Sequence, residues 1–101
     1  MSIKKQFLKS KPVCKVSFKV TKELANGALK VNLCGDFNNW NETSDEMNAL
    51  KDGSFSLSFD LETGRSYQFR YLLDGSIWVN DEAADHYEDS GFNSQNSVIE
   101  L

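Results

Sequence analysis

Polar and apolar residues alternate along most of this chain. From Cys14 to Val20 every second residue is apolar, and the same alternation runs through residues 55–61 and 67–73. Side chains two residues apart share one face of a β-strand, so the pattern predicts strands with one face in a core and one in solvent. Two more strands are predicted, one from Leu29 to Phe37 and a short one from Ser97 to Leu101.

Turn-forming pairs of residues separate these predicted strands. Each pair supplies a residue that tolerates a positive φ angle, as tight turns often require. The pairs are Asn26-Gly27, Asp52-Gly53, Thr63-Gly64 and Asp74-Gly75. Short alternating strands between such turns are typical of an all-β antiparallel sandwich. A helical turn is expected at most in residues 81–88.

The charge of the chain is unevenly distributed. The first eleven residues carry four lysines and no acid, and Pro12 marks the start of the first strand. We therefore predict a flexible basic N-terminal arm, residues 1–11, and one β-sandwich domain, residues 12–101, although Phe7 and Leu8 could pin the arm to a sheet edge. Without the four lysines, seven basic residues stand against fifteen acids, a net charge of −8. So acidic a domain is not expected to bind nucleic acid.

The sequence also predicts a cytoplasmic protein that does not enter a membrane. No apolar run approaches the roughly 20 residues of a membrane-spanning helix, and the first residues lack the apolar segment of a secretory signal. Cys14 falls on the inward face of its strand, whereas Cys34 follows inward-facing Leu33 and is predicted to point outward. Cysteines on opposite faces cannot form a disulfide, so we expect two free thiols, as in a reducing cytosol.

Catalytic and metal-binding patterns are not found in this sequence. His86 is the single histidine and has no partner in a nucleophile motif, and no glycine-rich phosphate loop is present. Acidic residues cluster between Asp81 and Asp89 without the spacing of a calcium loop. We therefore expect no catalytic residues, no metal and no cofactor, which favours a binding protein over an enzyme.

Two tryptophans lie beside turns in polar surroundings. Trp40 ends the segment Gly35-Asp36-Phe37-Asn38-Asn39-Trp40, and Trp78 follows the turn at Asp74-Gly75. An exposed indole can stack on the apolar C–H face of a sugar ring, while amide and guanidinium groups can bond its hydroxyls. The alternative is structural, because a Trp after a strand can also cap the open end of a sandwich.

Seven segments, in this order, carry a resemblance to a known family. They are Val31–Trp40, Met47, Asp52–Phe55, Tyr67–Gly75, Trp78–Asp81, Ala84–Asp85 and Asn96–Val98. From about Val13 to Leu101 the chain resembles the family 48 carbohydrate-binding module, which is found in branching enzymes, in isoamylases and in the beta subunits of AMP-activated protein kinase. The resemblance implies an immunoglobulin-like (early-set) antiparallel β-sandwich. It also implies non-catalytic binding of α-1,4-glucans such as glycogen, starch and maltooligosaccharides.

The same resemblance assigns roles to five residues. Trp40 and Trp78 would stack on glucose rings, Arg70 and Asn96 would bond hydroxyls, and Phe92 would lean against the sugar. Arg70 stands where kinase-type modules carry Lys, and the loop order around Phe92 also departs from the family's pattern. Arg70 faces outward because it alternates with the inward-facing residues of its strand. Alternatively, Arg70 could be a solvated arginine paired with an acid, and Asn96 could be an amide that stabilises a turn.

Two other functions are compatible with these residues. The first is a protein-interaction module that docks onto a glycogen- or starch-active enzyme, with the two tryptophans as anchors of the interface. The second is a regulatory or scaffold domain whose sugar site is vestigial.

Overall fold

The computed structural model describes residues 3–91 and 94–101. Within these ranges the chain forms nine β-strands, one α-helix and one 3-10 turn. In chain order they are β1 (Ile3–Phe7), β2 (Val13–Val20), α1 (Lys22–Ala25), β3 (Val31–Gly35), the 3-10 turn (Asp36–Asn38), β4 (Asn48–Ala49), β5 (Phe55–Glu62), β6 (Ser66–Leu73), β7 (Ile77–Val79), β8 (His86–Asp89) and β9 (Gln95–Glu100).

The strands form two antiparallel sheets that pack as a sandwich. The four-stranded sheet has the order β1-β2-β5-β4. The five-stranded sheet has the order β3-β6-β9-β8, and β7 also pairs with β6. The predicted all-β, immunoglobulin-like sandwich is therefore confirmed.

The inward faces of both sheets meet in an aromatic core. Phe18 of β2 and Phe69 of β6 are fully buried, and their ring centroids lie 5.0 Å apart in an edge-to-face arrangement. Phe37 joins this cluster from the 3-10 turn, 5.6 Å from Phe18. Such aromatic pairs add to the stability that burial alone provides. They fix the position of the turn that leads to Trp40.

The start of the chain differs from the prediction of a flexible arm. Ile3–Phe7 pairs with β2 in a regular antiparallel register. Ile3 is buried in the core, and Lys5 Nζ reaches the other sheet, where it lies 2.6 Å from Asp85 Oδ2 and 3.1 Å from the backbone oxygen of Glu100. Residues 3–7 are therefore an edge strand of the four-stranded sheet, with a charged contact to the other sheet.

Other elements also differ from the predictions, including the short strands β4 and β7, which were not predicted. His86–Asp89 is a strand paired with β9, not a helical turn. The short helix Lys22–Ala25 was not predicted, and it begins with the Thr21 hydroxyl accepting from the backbone N–H of Leu24. The strand predicted from Leu29 begins at Val31, since the N–H groups of residues 29 and 30 bond the carboxylate of Asp74.

Both cysteines are free and fully buried. Cys34 was predicted to point outward, and it does lie on the face of β3 opposite Leu33. That face is not open to solvent, because the following loop covers it and brings the backbone oxygen of Asn41 to 3.4 Å from the Cys34 sulfur. Burial, followed by the nearby carboxylates of Glu42 and Asp45, raises the pKa of the Cys34 thiol to about 11.

Among the helices that the structure describes, none is long and apolar enough to span a membrane.

Candidate functional site

A cleft opens on the outer face of the five-stranded sheet. Its volume is about 390 Å³. Six of the residues described by the structure line it: Trp40, Arg70, Trp78, Ser90, Ser94 and Asn96. Four of the five residues that the sequence predicted as a binding site therefore lie together, although they come from four separate parts of the chain.

Trp40 forms one wall of the cleft, and a tight turn after β3 positions it. Gly35 has no side chain, and a Cβ there would lie 2.6 Å from the backbone oxygen of Gln68 and 2.8 Å from the Cβ of Phe69. Glycine thus lets β3 approach β6 at the point where the turn begins. The chain then reverses through positive φ angles of 56° at both Asn39 and Trp40, and the backbone N–H of Trp40 bonds back to Gly35.

Asn38 ties this turn together from the inside. Its Oδ1 accepts from the backbone N–H of Gly35 at 3.0 Å. Its Nδ2 donates to the backbone oxygen of Leu33 and to the carboxylate of Asp45, both at 2.8 Å. The segment that ends in Trp40 is therefore braced by its own side chains, and the indole is left part-exposed at its end.

Trp78 forms the second wall from the middle of β7. It pairs across the ladder with Leu72, which is buried. Because side chains alternate along a strand, Val79 packs against the core while Trp78 faces outward, with 39% of its surface exposed. The Trp78 indole therefore lies partly exposed at the edge of the cleft.

Arg70 forms part of the floor and is held by neutral groups. Its Nε donates to Asn96 Oδ1 at 2.6 Å, and its Nη2 donates to the hydroxyl of Ser94 at 2.7 Å. None of the ion pairs formed by the described residues includes Arg70. A guanidinium has five N–H groups in a rigid fork. Those not used in these two bonds remain available to hydroxyl groups in the cleft.

A family model described as the glycogen recognition site of AMP-activated protein kinase matches residues 17–101. The chain belongs to this family. Members of this family generally bind carbohydrate such as glycogen, and they are normally non-catalytic modules. No curated protein matches the chain with significance.

Two lining residues of this glycogen-recognition module were not predicted from the sequence. Ser90 and Ser94 are four positions apart in the sequence, and their hydroxyls lie 2.9 Å apart. Their backbones also pair, with the N–H of Ser90 donating to the oxygen of Ser94. Serine is common in polar loops, so no sequence signal separated these two from the others. Phe92, predicted to lean against the sugar, lies outside the described residues.

A buried polar cluster anchors the segment that follows Trp78. The Tyr71 hydroxyl donates to Asp81 Oδ2 at 2.5 Å, and the backbone N–H of Asp81 donates to the Ser97 hydroxyl at 2.9 Å. Burial, reinforced by the Asp81 carboxylate, raises the pKa of Tyr71 well above its usual range. These bonds fix the end of β7 to β6 and β9, and so they limit the freedom of the Trp78 wall.

The described residues include no group of three or more acidic, histidine or cysteine side chains suited to a metal ion. His86 lies on β8, where its Nε2 is 3.2 Å from Glu88. The polar groups in the cleft are an amide, a guanidinium and two hydroxyls, which hydrogen-bond a neutral ligand without a proton transfer.

Proposed function

We propose that this chain is a non-catalytic module that binds α-1,4-glucans, namely glycogen, starch or maltooligosaccharides, through a surface platform of two tryptophans. One observation carries the proposal: Trp40 and Trp78 line the same cleft as Arg70 and Asn96. The proposal extends the family's recognition of glycogen to particular residues of this chain.

The chemistry of a glucose ring matches this combination. Its C–H face is apolar and stacks on an indole, and its rim of hydroxyls needs donors and acceptors. Arg70 supplies unused N–H donors, and the Ser90 and Ser94 hydroxyls add polar oxygen atoms to the lining of the cleft. We also propose Phe92 as a contact, because it lies between these two serines in the sequence. Cytoplasmic localisation is part of the proposal, supported by the two free thiols.

A titration of tryptophan fluorescence tests the proposal. Both indoles border the cleft, so millimolar β-cyclodextrin or maltoheptaose is expected to quench or blue-shift the emission. Cellohexaose, which has the same sugar in β-1,4 linkage, is the control and is expected to leave the emission unchanged. Isothermal titration of the same ligands measures binding without depending on the indoles.

A null result with both methods favours the second candidate, a module of the same fold that docks onto a glycogen- or starch-active enzyme. In that case Trp40 and Trp78 would contact the partner protein instead of a sugar.

A further inference from the structure

The carboxylate of Asp36 connects the indole of Trp40 to the floor of the cleft. Asp36 was not predicted as a site residue, and it is not among the residues that line the cleft. Trp40 Nε1 donates to Asp36 Oδ1 at 3.1 Å. The other carboxylate oxygen of Asp36, Oδ2, accepts from the backbone N–H of Gln68 at 2.8 Å. Asp36 therefore links the wall of the cleft to strand β6 of the sheet.

Gln68 also holds the polar part of the floor in place, through its side chain. The Gln68 side-chain oxygen accepts from Asn96 Nδ2 at 2.9 Å, and Asn96 Oδ1 in turn accepts from Arg70 Nε at 2.6 Å. One line of hydrogen bonds therefore runs from the Trp40 indole through residues 36, 68 and 96 to the guanidinium. The aromatic and polar halves of the cleft share a single support.

The hydrogen bond to Asp36 restrains a ring that is only partly buried. Trp40 is also the second of two consecutive residues with positive φ angles. A ring that must be immobilised when a ligand arrives loses side-chain entropy, which weakens binding; a ring already fixed in the free protein avoids most of that loss. A carboxylate is a strong acceptor, and a hydrogen bond to a charged group is stronger than one between neutral groups.

We propose that Asp36 is a positioning residue of the cleft, which fixes the Trp40 indole as a plate before ligand binds. The proposal rests on the glucan-binding function proposed above. It assigns the Trp40 N–H to Asp36 rather than to a sugar hydroxyl, so Trp40 offers a ligand only its ring face. Asp36 touches no ligand and acts through Trp40.

A double-mutant cycle tests this assignment. Affinity for β-cyclodextrin is measured by isothermal titration for Asp36→Ala, Trp40→Phe and the double variant, since Phe keeps a flat ring but has no N–H. Asp36→Ala is expected to weaken binding about fivefold in the native background, the size of a typical hydrogen bond, and less than about twofold beside Trp40→Phe. Asp60→Ala, which removes an exposed carboxylate from the other sheet, is the charge control and should change nothing. An equal loss from Asp36→Ala in both backgrounds overturns the proposal.

A second measurement on the free protein separates this proposal from the proposed function. In a ¹⁵N spectrum, Asp36→Ala is expected to shift the indole N–H signal of Trp40 and speed its exchange with solvent, while that of Trp78 stays unchanged. Asp36→Leu, which keeps the branched shape but has no acceptor, serves if Asp36→Ala unfolds. An unaffected Trp40 signal refutes the positioning role whatever the glucan does. An affected signal in a protein that binds no β-cyclodextrin supports the positioning role and rejects the glucan function.

Discussion

Substitution of Trp78 tests the proposed binding platform directly, because the neighbouring residue of the same strand, Ile77, provides a matched control. Trp78→Ala is expected to lower glucan affinity by more than tenfold and to change the melting temperature little. The half-exposed ring contributes to a ligand more than to the core, and one lost stack costs about 0.5–1.5 kcal/mol beyond the lost apolar contact area. Affinity is measured with maltoheptaose and stability by thermal unfolding.

Ile77→Ala is the control for this prediction. Ile77 is 57% exposed and faces away from Trp78 on the same strand, so its truncation should leave affinity unchanged. A Trp78→Ala protein that binds normally but melts many degrees lower would behave as one that has lost a core residue, and the platform assignment would then be wrong.

The candidate site was predictable only in part at this scale. Trp40 and Trp78 stand out in the sequence because large aromatic residues are unusual in polar turns, and Arg70 because strand alternation fixes its face. The bond from Trp40 to Asp36 could not be predicted, since it depends on two consecutive positive φ angles in the turn. The functional roles of these residues stay predictions until binding is measured.

At the scale of elements, β1 is held by a contact between the two sheets. Burial raises the pKa of Asp85, but the hydrogen bonds from Lys5 Nζ and from the backbone N–H of Glu100 outweigh it, so the pKa lies below its usual range. Lys5→Ala is therefore expected to lower the free energy of unfolding by about 1 kcal/mol at neutral pH, at the upper end for a partly exposed pair. Urea unfolding measures the change.

Lys4→Ala is the matched control, because Lys4 is exposed on the opposite face of the same strand. The loss in the free energy of unfolding caused by Lys5→Ala is also expected to become smaller at acidic pH. A carboxyl with a lowered folded pKa contributes stability above its unfolded pKa of about 4 and loses it as the pH falls through the folded value. Equal losses from both lysine variants would mean that β1 is not held by this contact.

Strands were predictable where local alternation is strong. β2, β5 and β6 each alternate over many residues, and the structure has them close to their predicted bounds. β1 was missed because its inward positions include Lys5, which reads as a surface residue until the distant Asp85 is placed beside it. β8 was missed for a different reason: its partner β9 follows it directly in the chain, but the acidic composition of residues 81–89 favours a loop.

For the molecule as a whole, stability should decline in alkali. The folded pKa values of Cys34 and Tyr71 are both raised above their unfolded values. Each group therefore contributes stability that is complete below the unfolded pKa and is lost as the pH rises through the folded value. For Cys34 this window runs from the usual 9.0 to about 11. The free energy of unfolding is expected to fall across this range.

Cys34→Ala isolates the thiol's share of that decline. The variant is expected to lose less stability than the native protein between about pH 9 and pH 11, because its unfolded state has one fewer acidic group to ionise. Urea unfolding at a series of pH values gives both slopes. Parallel slopes would show that the Cys34 thiol does not carry the effect.

The burial of both thiols gives the molecule a useful chemical property. Neither Cys14 nor Cys34 is accessible in the folded state. Burial raises the pKa of both thiols, and a thiol that stays protonated is unreactive. A cysteine introduced at exposed Ser58, on the outer face of the four-stranded sheet, would therefore react alone with a maleimide dye or a bead. The cleft opens on the other sheet, so the attached protein would present Trp40 and Trp78 to the solution, in one fixed orientation.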